Sequence, residues 1–111
     1  MASVFLSYAR EDTSRVRPLA SALERAGHSV WWDEHISGGD QFAEAIERAL
    51  ESADVVVVAW TEASVASAWV RDEAATGRDS GRLVPVTFDG CMPPMGFRQF
   101  QATDLSGWSG R

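Results

Sequence analysis

Val55-Val-Val-Val-Ala-Trp60 decides the fold. The run is apolar at every position, with Asp54 before it and Thr61-Glu62 after it. A strand with one wet face alternates apolar and polar side chains. A strand buried on both faces reads as an unbroken apolar run, as this one does. It is therefore expected at the centre of a parallel sheet, with helices covering both sides.

Working outward from it, the flanking segments alternate in type. Ser3 to Tyr8 (SVFLSY) is a short run of strand formers, followed by a polar loop from Ala9 to Ser14. Val16, Leu19, Ala20, Leu23 and Ala26 recur at helical spacing, and Gly27 supplies a stop. Pro18 belongs near the first turn of that helix, where its missing N–H costs least. His28 to Trp32 reads as the second strand, and Trp31 and Trp32 must then point to opposite faces. Asp33 to Asp40 (DEHISGGD) is a loop, and Asp40 caps a helix whose stripe is Phe42, Ile46, Ala49 and Leu50. Beyond Trp60, Ser64 to Glu73 reads as the opening of a helix that ends near Gly77, with Ser64 and Ser67 as candidate N-caps. Asp79 to Arg82 is a turn and Leu83 to Val86 the fourth strand. Phe97 to Gln101 is expected as one helical turn, and Ala102 to Leu105 as the last strand. The pattern is α/β, with right-handed crossovers between parallel strands.

Composition narrows the functions. With 111 residues the chain has room for one domain and one core. A net charge of −6 argues against sequence-blind nucleic-acid binding. No apolar stretch approaches the roughly 20 residues of a membrane span. The single cysteine, Cys91, cannot pair within the chain, and no basic segment precedes an apolar run at the start; a cytoplasmic location is expected. All ten basic residues are Arg. The absence of Lys removes Schiff-base chemistry and the Lys of a phosphate-binding P-loop.

The sequence also lacks a G-x-G-x-x-G dinucleotide turn and the G-x-S-x-G elbow of a hydrolase. A phosphate-accepting receiver would need an Asp where the third strand ends, and Trp60-Thr61 stands there. His28 and His35 have no ligand array at metal spacing, so no metal site is expected. What remains is a pair in the Ser64–Glu73 stretch. Trp69 and Glu73 lie four apart on one helix face, just after the C-terminal end of a buried strand, where open α/β sheets keep their ligand crevice.

Five blocks together resemble a TIR domain: Phe5 to Asp12 (FLSYARED), Asp33 to Phe42 (DEHISGGDQF), Ser64-x-x-Ser67-x-Trp69-x-x-x-Glu73, Leu83 to Val86, and Asp104 to Trp108 (DLSGW). They occur in order and span nearly the whole chain. The resemblance implies a flavodoxin-like single domain over residues 1–111, with a five-stranded parallel sheet of order 2-1-3-4-5 and helices on both faces. Members usually carry a further helix after the last strand, so this chain is expected to be the N-terminal part of a longer, bacterial protein. TIR domains are either enzymes or adaptors. In the enzymes a Glu on the third helix, four residues after a Trp, cleaves NAD+ at the nicotinamide–ribose bond, and Glu73 matches it. The implied product is ADP-ribose or a cyclic isomer, with NAD+ as substrate and no cofactor. Partners are other TIR domains, in a homo-oligomer or filament that activates the enzyme in immune or stress signalling.

Each candidate has a plainer reading. Glu73 can be a solvated glutamate on an amphipathic helix, and Trp69 a core or edge aromatic. Tyr8 and Arg10, at the end of strand one, are candidate substrate contacts; an Arg there can grip a pyrophosphate with two hydrogen bonds, or merely pair with Glu11 or Asp12. Phe42 closes the pocket wall or belongs to the core. Ser37, Gly38, Gly39 and Asp40 form a lid or assembly loop, or a turn that simply needs glycine. Two rival functions stay open: a non-catalytic TIR adaptor, and a hydrolase or transferase acting on nucleoside N-glycosidic bonds.

Overall fold

The computed structural model describes residues 2–32 and 40–108, of which 40–44 by backbone only. Five parallel strands form one sheet in the order β2-β1-β3-β4-β5. They are β1 (Ser3–Ser7), β2 (Ser29–Trp31), β3 (Val55–Trp60), β4 (Leu83–Thr87) and β5 (Thr103–Asp104). The helices are α1 (Thr13–Arg25), α2 (Asp40–Ser52), the short α3 (Glu62–Val65) and α4 (Ala68–Asp79). A 3-10 turn over Arg10–Asp12 leads into α1.

β3 is central, as its unbroken apolar run requires. It pairs with β1 on one side (Leu6 opposite Val57, Ser7 opposite Val58) and with β4 on the other. Its alternate residues serve two cores. Val57 and Ala59 join Val4, Leu6 and Val86 under Val16 and Ala20 of α1. On the other face Val56 packs with Phe5, Leu50 and Ala53, while Val58 and Trp60 pack with Val70 and Ala74 of α4 and with Phe97. Burying a valine of this kind contributes about 1.5–3 kcal/mol relative to leaving it in water. Trp31 and Trp32 divide between the faces: Trp31 stacks on Phe5 at 5.2 Å, and Trp32 tilts against Tyr8 at 6.0 Å.

Polar ties fix the strand starts. Asp54 accepts the Ser3 N–H at 2.9 Å, and its own N–H donates to the Ser3 carbonyl. Arg82 donates to the carbonyls of Leu50 and Ala53, closing the C-terminal end of α2. Two expected elements differ. The Ser64–Glu73 stretch is two helices, broken at Ala66-Ser67. Phe97 to Gln101 is a series of turns rather than a helix, with bonds from Phe97 N–H to the Pro94 carbonyl and from Phe100 N–H to that of Phe97.

Gly77 on α4 sits directly over β3: a Cβ there would lie 2.8 Å from Val56 Cβ. Ala in a helix normally gains about 1 kcal/mol over Gly, but overpacking costs about 1–3 kcal/mol. Gly77→Ala is therefore expected to lower the unfolding free energy in urea, by about 1 kcal/mol, where an exposed helix site would show a gain.

Candidate active site

The chain leaves β1 toward one edge of the sheet and β3 toward the other, which makes the C-terminal ends of this pair the switch point at which open α/β sheets keep a ligand site. Ser7, Trp60 and Thr61 stand at that end, and α4 passes alongside. Glu73 lies on the face of α4 that meets the sheet. It is 7% exposed, and Ser7 Oγ donates to its Oε1 at 2.7 Å. A carboxylate taken out of water is costly unless such donors replace the lost hydration.

One turn earlier on the same helix, Trp69 is 51% exposed. The break before α4 sets this arrangement. Ser67 caps α4 by accepting the Val70 N–H, so the first turn of α4 starts at the rim and carries Trp69 outward. Below it, α3 is held by a reciprocal capping box: Ser64 N–H donates to Thr61 Oγ1, and Thr61 N–H donates to Ser64 Oγ. Ser64 Oγ in turn donates to the Ala59 carbonyl at 2.7 Å. Ser64, expected as an N-cap, is instead a buried internal brace.

Thr61 reaches the other strand as well. Its hydroxyl donates to Asp12 Oδ2, and Arg15 lies 3.7 Å from Asp12 Oδ1. Asp12 is buried and locks the turn after β1 to the end of β3. On the β4 side, Asp89 accepts the N–H groups of Glu62 and Cys91. Burial pushes its carboxyl up, but these backbone donors outweigh burial and hold it below the usual range. Burial, with the neighbouring Asp89 carboxylate, pushes the Cys91 thiol up to about 11. Among the described residues no group of three or more His, Cys, Asp or Glu is placed to hold a metal, and no helix is long and apolar enough to cross a membrane.

The expected site residues thus land as follows. Glu73 and Trp69 lie one turn apart on α4, the first buried against β1 and the second exposed. Arg10 is exposed in the turn that follows β1. Asp12, which the sequence offers as a partner for Arg10, is engaged by Thr61 and Arg15. Tyr8 packs with the α1-side core, against Trp32, so the β1 side chain at Glu73 is Ser7. Ser37, Gly38 and Gly39 and the side chains of Asp40 and Phe42 lie outside the described residues. Ser7 and Thr61 carry no motif that marks them in the sequence, and Asp12 reads there only as a partner for Arg10. Strand alternation alone puts Ser7 on the same face as Phe5 and away from Tyr8.

A family model described as "TIR domain" matches residues 4–111, and the chain belongs to that family. Among solved structures it is similar to the TIR domain of the Toll-related receptor TRR-2 from Hydra magnipapillata, with a TM-score of 0.82 at 24% identity over 96% of this chain and 86% of that one. It also resembles a metazoan TIR-STING receptor from C. gigas in complex with 2',3'-cGAMP, with a TM-score of 0.75 at 22% identity over 95% of this chain. The TIR domains of the activated Roq1 resistosome, which directly recognises the pathogen effector XopQ, give 0.64 at 25% identity over 80% of this chain. The match spans 35% of the TIR-STING chain and 58% of the Roq1 chain. No curated protein sequence matches.

Two outcomes are expected from this geometry. Thr61→Val deletes a helix cap and leaves Asp12 without its hydroxyl donor, so urea titration should show a loss of about 2–3 kcal/mol. With its thiol at about 11, Cys91 ionises only above the usual range. Its alkylation by iodoacetamide at pH 8 is expected to run on the order of 100-fold slower than that of an ordinary thiol, and to rise through pH 10.

Proposed function

We propose that this TIR domain is an NAD+ glycohydrolase in which Glu73 is the catalytic carboxylate. The observation that carries the reading is Glu73 itself. It is a nearly buried acid on α4 beside the end of the central strand pair, held by a hydroxyl from β1 and one turn from an exposed tryptophan. A solvated glutamate on an amphipathic helix would have neither the burial nor the partner.

The reaction asks for little more. The bond from C1′ of the ribose to the nicotinamide nitrogen breaks, and its electron pair leaves with the ring as neutral nicotinamide. No general acid is needed, so the two carboxylates of ordinary glycosidases can reduce to one. Positive charge grows on the ribose C1′ and ring oxygen in the transition state. Glu73 accepts the ribose hydroxyls and offsets that charge, more effectively than it would in water because the site is partly desolvated. Water then bonds to C1′ and loses a proton to solvent, giving ADP-ribose; attack by a nitrogen of the adenine gives a cyclic isomer instead. Trp69 offers a flat face to a base or to the departing ring. Self-assembly through the loop around Ser37 to Asp40 completes the pocket, a proposal in keeping with the assembled TIR domains of the Roq1 resistosome.

The test is nicotinamide release from NAD+ by the concentrated domain and by the domain clustered through a fused oligomer. Glu73→Gln should lower kcat by about 100- to 1,000-fold. Trp69→Ala should raise KM roughly 10-fold, the loss of one stacking platform. Equal rates in the wild type and Glu73→Gln remove the catalytic assignment. Silence of the clustered wild type favours a non-catalytic adaptor.

A further inference from the structure

β1 brings a second buried polar group to Glu73. Ser7 is 1% exposed and lies 66 residues from Glu73 in sequence, yet its hydroxyl meets Oε1 at 2.7 Å. The two elements differ in freedom. Ser7 is fixed by its pairing opposite Val58 in the central strand pair, whereas a glutamate on a helix has three side-chain torsions to lose. The serine hydroxyl donates one hydrogen bond to Oε1 and so restrains where that oxygen can lie.

The geometry points to Ser7 as the positioning residue for Glu73. It ties Oε1 to β1 and so holds the carboxylate where the ribose hydroxyls reach it. This rests on reading Glu73 as the NAD+-cleaving carboxylate. A serine that donates to a carboxylate is also the arrangement of a nucleophile with its base. Burial decides between the two: a hydroxyl closed off from solvent cannot meet C1′ of a bound ribose, so Ser7 acts through Glu73. Its contribution belongs to the transition state, where the carboxylate must already be aimed and no reorganisation remains.

Ser7→Ala and Ser7→Cys separate this role from simple packing, with Glu73→Gln as control and each variant clustered and checked for folding at the assay temperature. Ser7→Ala is expected to lose roughly 10- to 100-fold in kcat while KM stays near the wild-type value. Ser7→Cys, a weak donor of similar shape, should fall between Ser7→Ala and wild type. A packing role would instead follow volume and put the bulkier sulfur at or below alanine. Wild-type kcat in Ser7→Ala beside an inactive Glu73→Gln overturns the role of Ser7 and leaves the NAD+ reading standing. Equal turnover in wild type and Glu73→Gln overturns both. A readout independent of turnover is the NMR titration of the Glu73 carboxyl carbon. Loss of a donor to the ionised form should move its midpoint upward in Ser7→Ala, and an unmoved midpoint overturns the proposal. Should Ser7→Ala fail to fold, the same titration on Ser7→Cys decides.

Discussion

A strand that must be dry on both faces constrains everything else in this domain. β3 is apolar at every position from Val55 to Trp60 and buried from Val56 on, so helices have to cover both of its faces and strands both of its edges. Those requirements put β1 and β4 beside it, α1 on one face, and α2 and α4 on the other. The C-terminal ends of β1 and β3 then fall together, with connections departing in opposite directions. The place where a ligand can approach the sheet is a consequence of how the core is closed.

That place is built from hydroxyl–carboxylate pairs that cross between elements. Thr61 to Asp12 joins the end of β3 to the turn after β1, and Ser7 to Glu73 joins β1 to α4. Each pair satisfies a buried acid, and each also fixes the distance between two segments that meet there. Removing a donor from such a pair leaves a desolvated carboxylate behind, which costs more than the net value of an ordinary hydrogen bond. Stability and site geometry therefore share the same residues. A variant must be read with both measurements before its effect is assigned to either.

The sheet was legible in the sequence because strand periodicity and burial are local signals. Val55 to Trp60 announced a central strand, Gly27 a helix end at φ +95°, and Trp31-Trp32 a division between two faces. The helix break at Ala66-Ser67 was not legible. Ser64 has the chemistry of an N-cap, and only the fold reveals that its hydroxyl is spent on the Ala59 carbonyl and the Thr61 N–H. The turns around Phe97 misled for a related reason: Phe97 is held by packing against Trp60 and under the Arg78 guanidinium, not by a local helical bond pattern. In the site, spacing alone put Trp69 and Glu73 on one face, and the resemblance gave Glu73 a role. Neither could give Ser7, whose contact spans 66 residues and depends on which face of β1 meets α4.

Glu73 is proposed here to act through its carboxylate on the ribose of NAD+. The most direct measurement is a crystal structure of the Glu73→Gln variant with NAD+ bound. The side chain at position 73 is expected within about 3 Å of the hydroxyls of the nicotinamide-bearing ribose, with the Trp69 ring flanking a base. NAD+ bound away from α4, with position 73 still turned only toward Ser7, would contradict it.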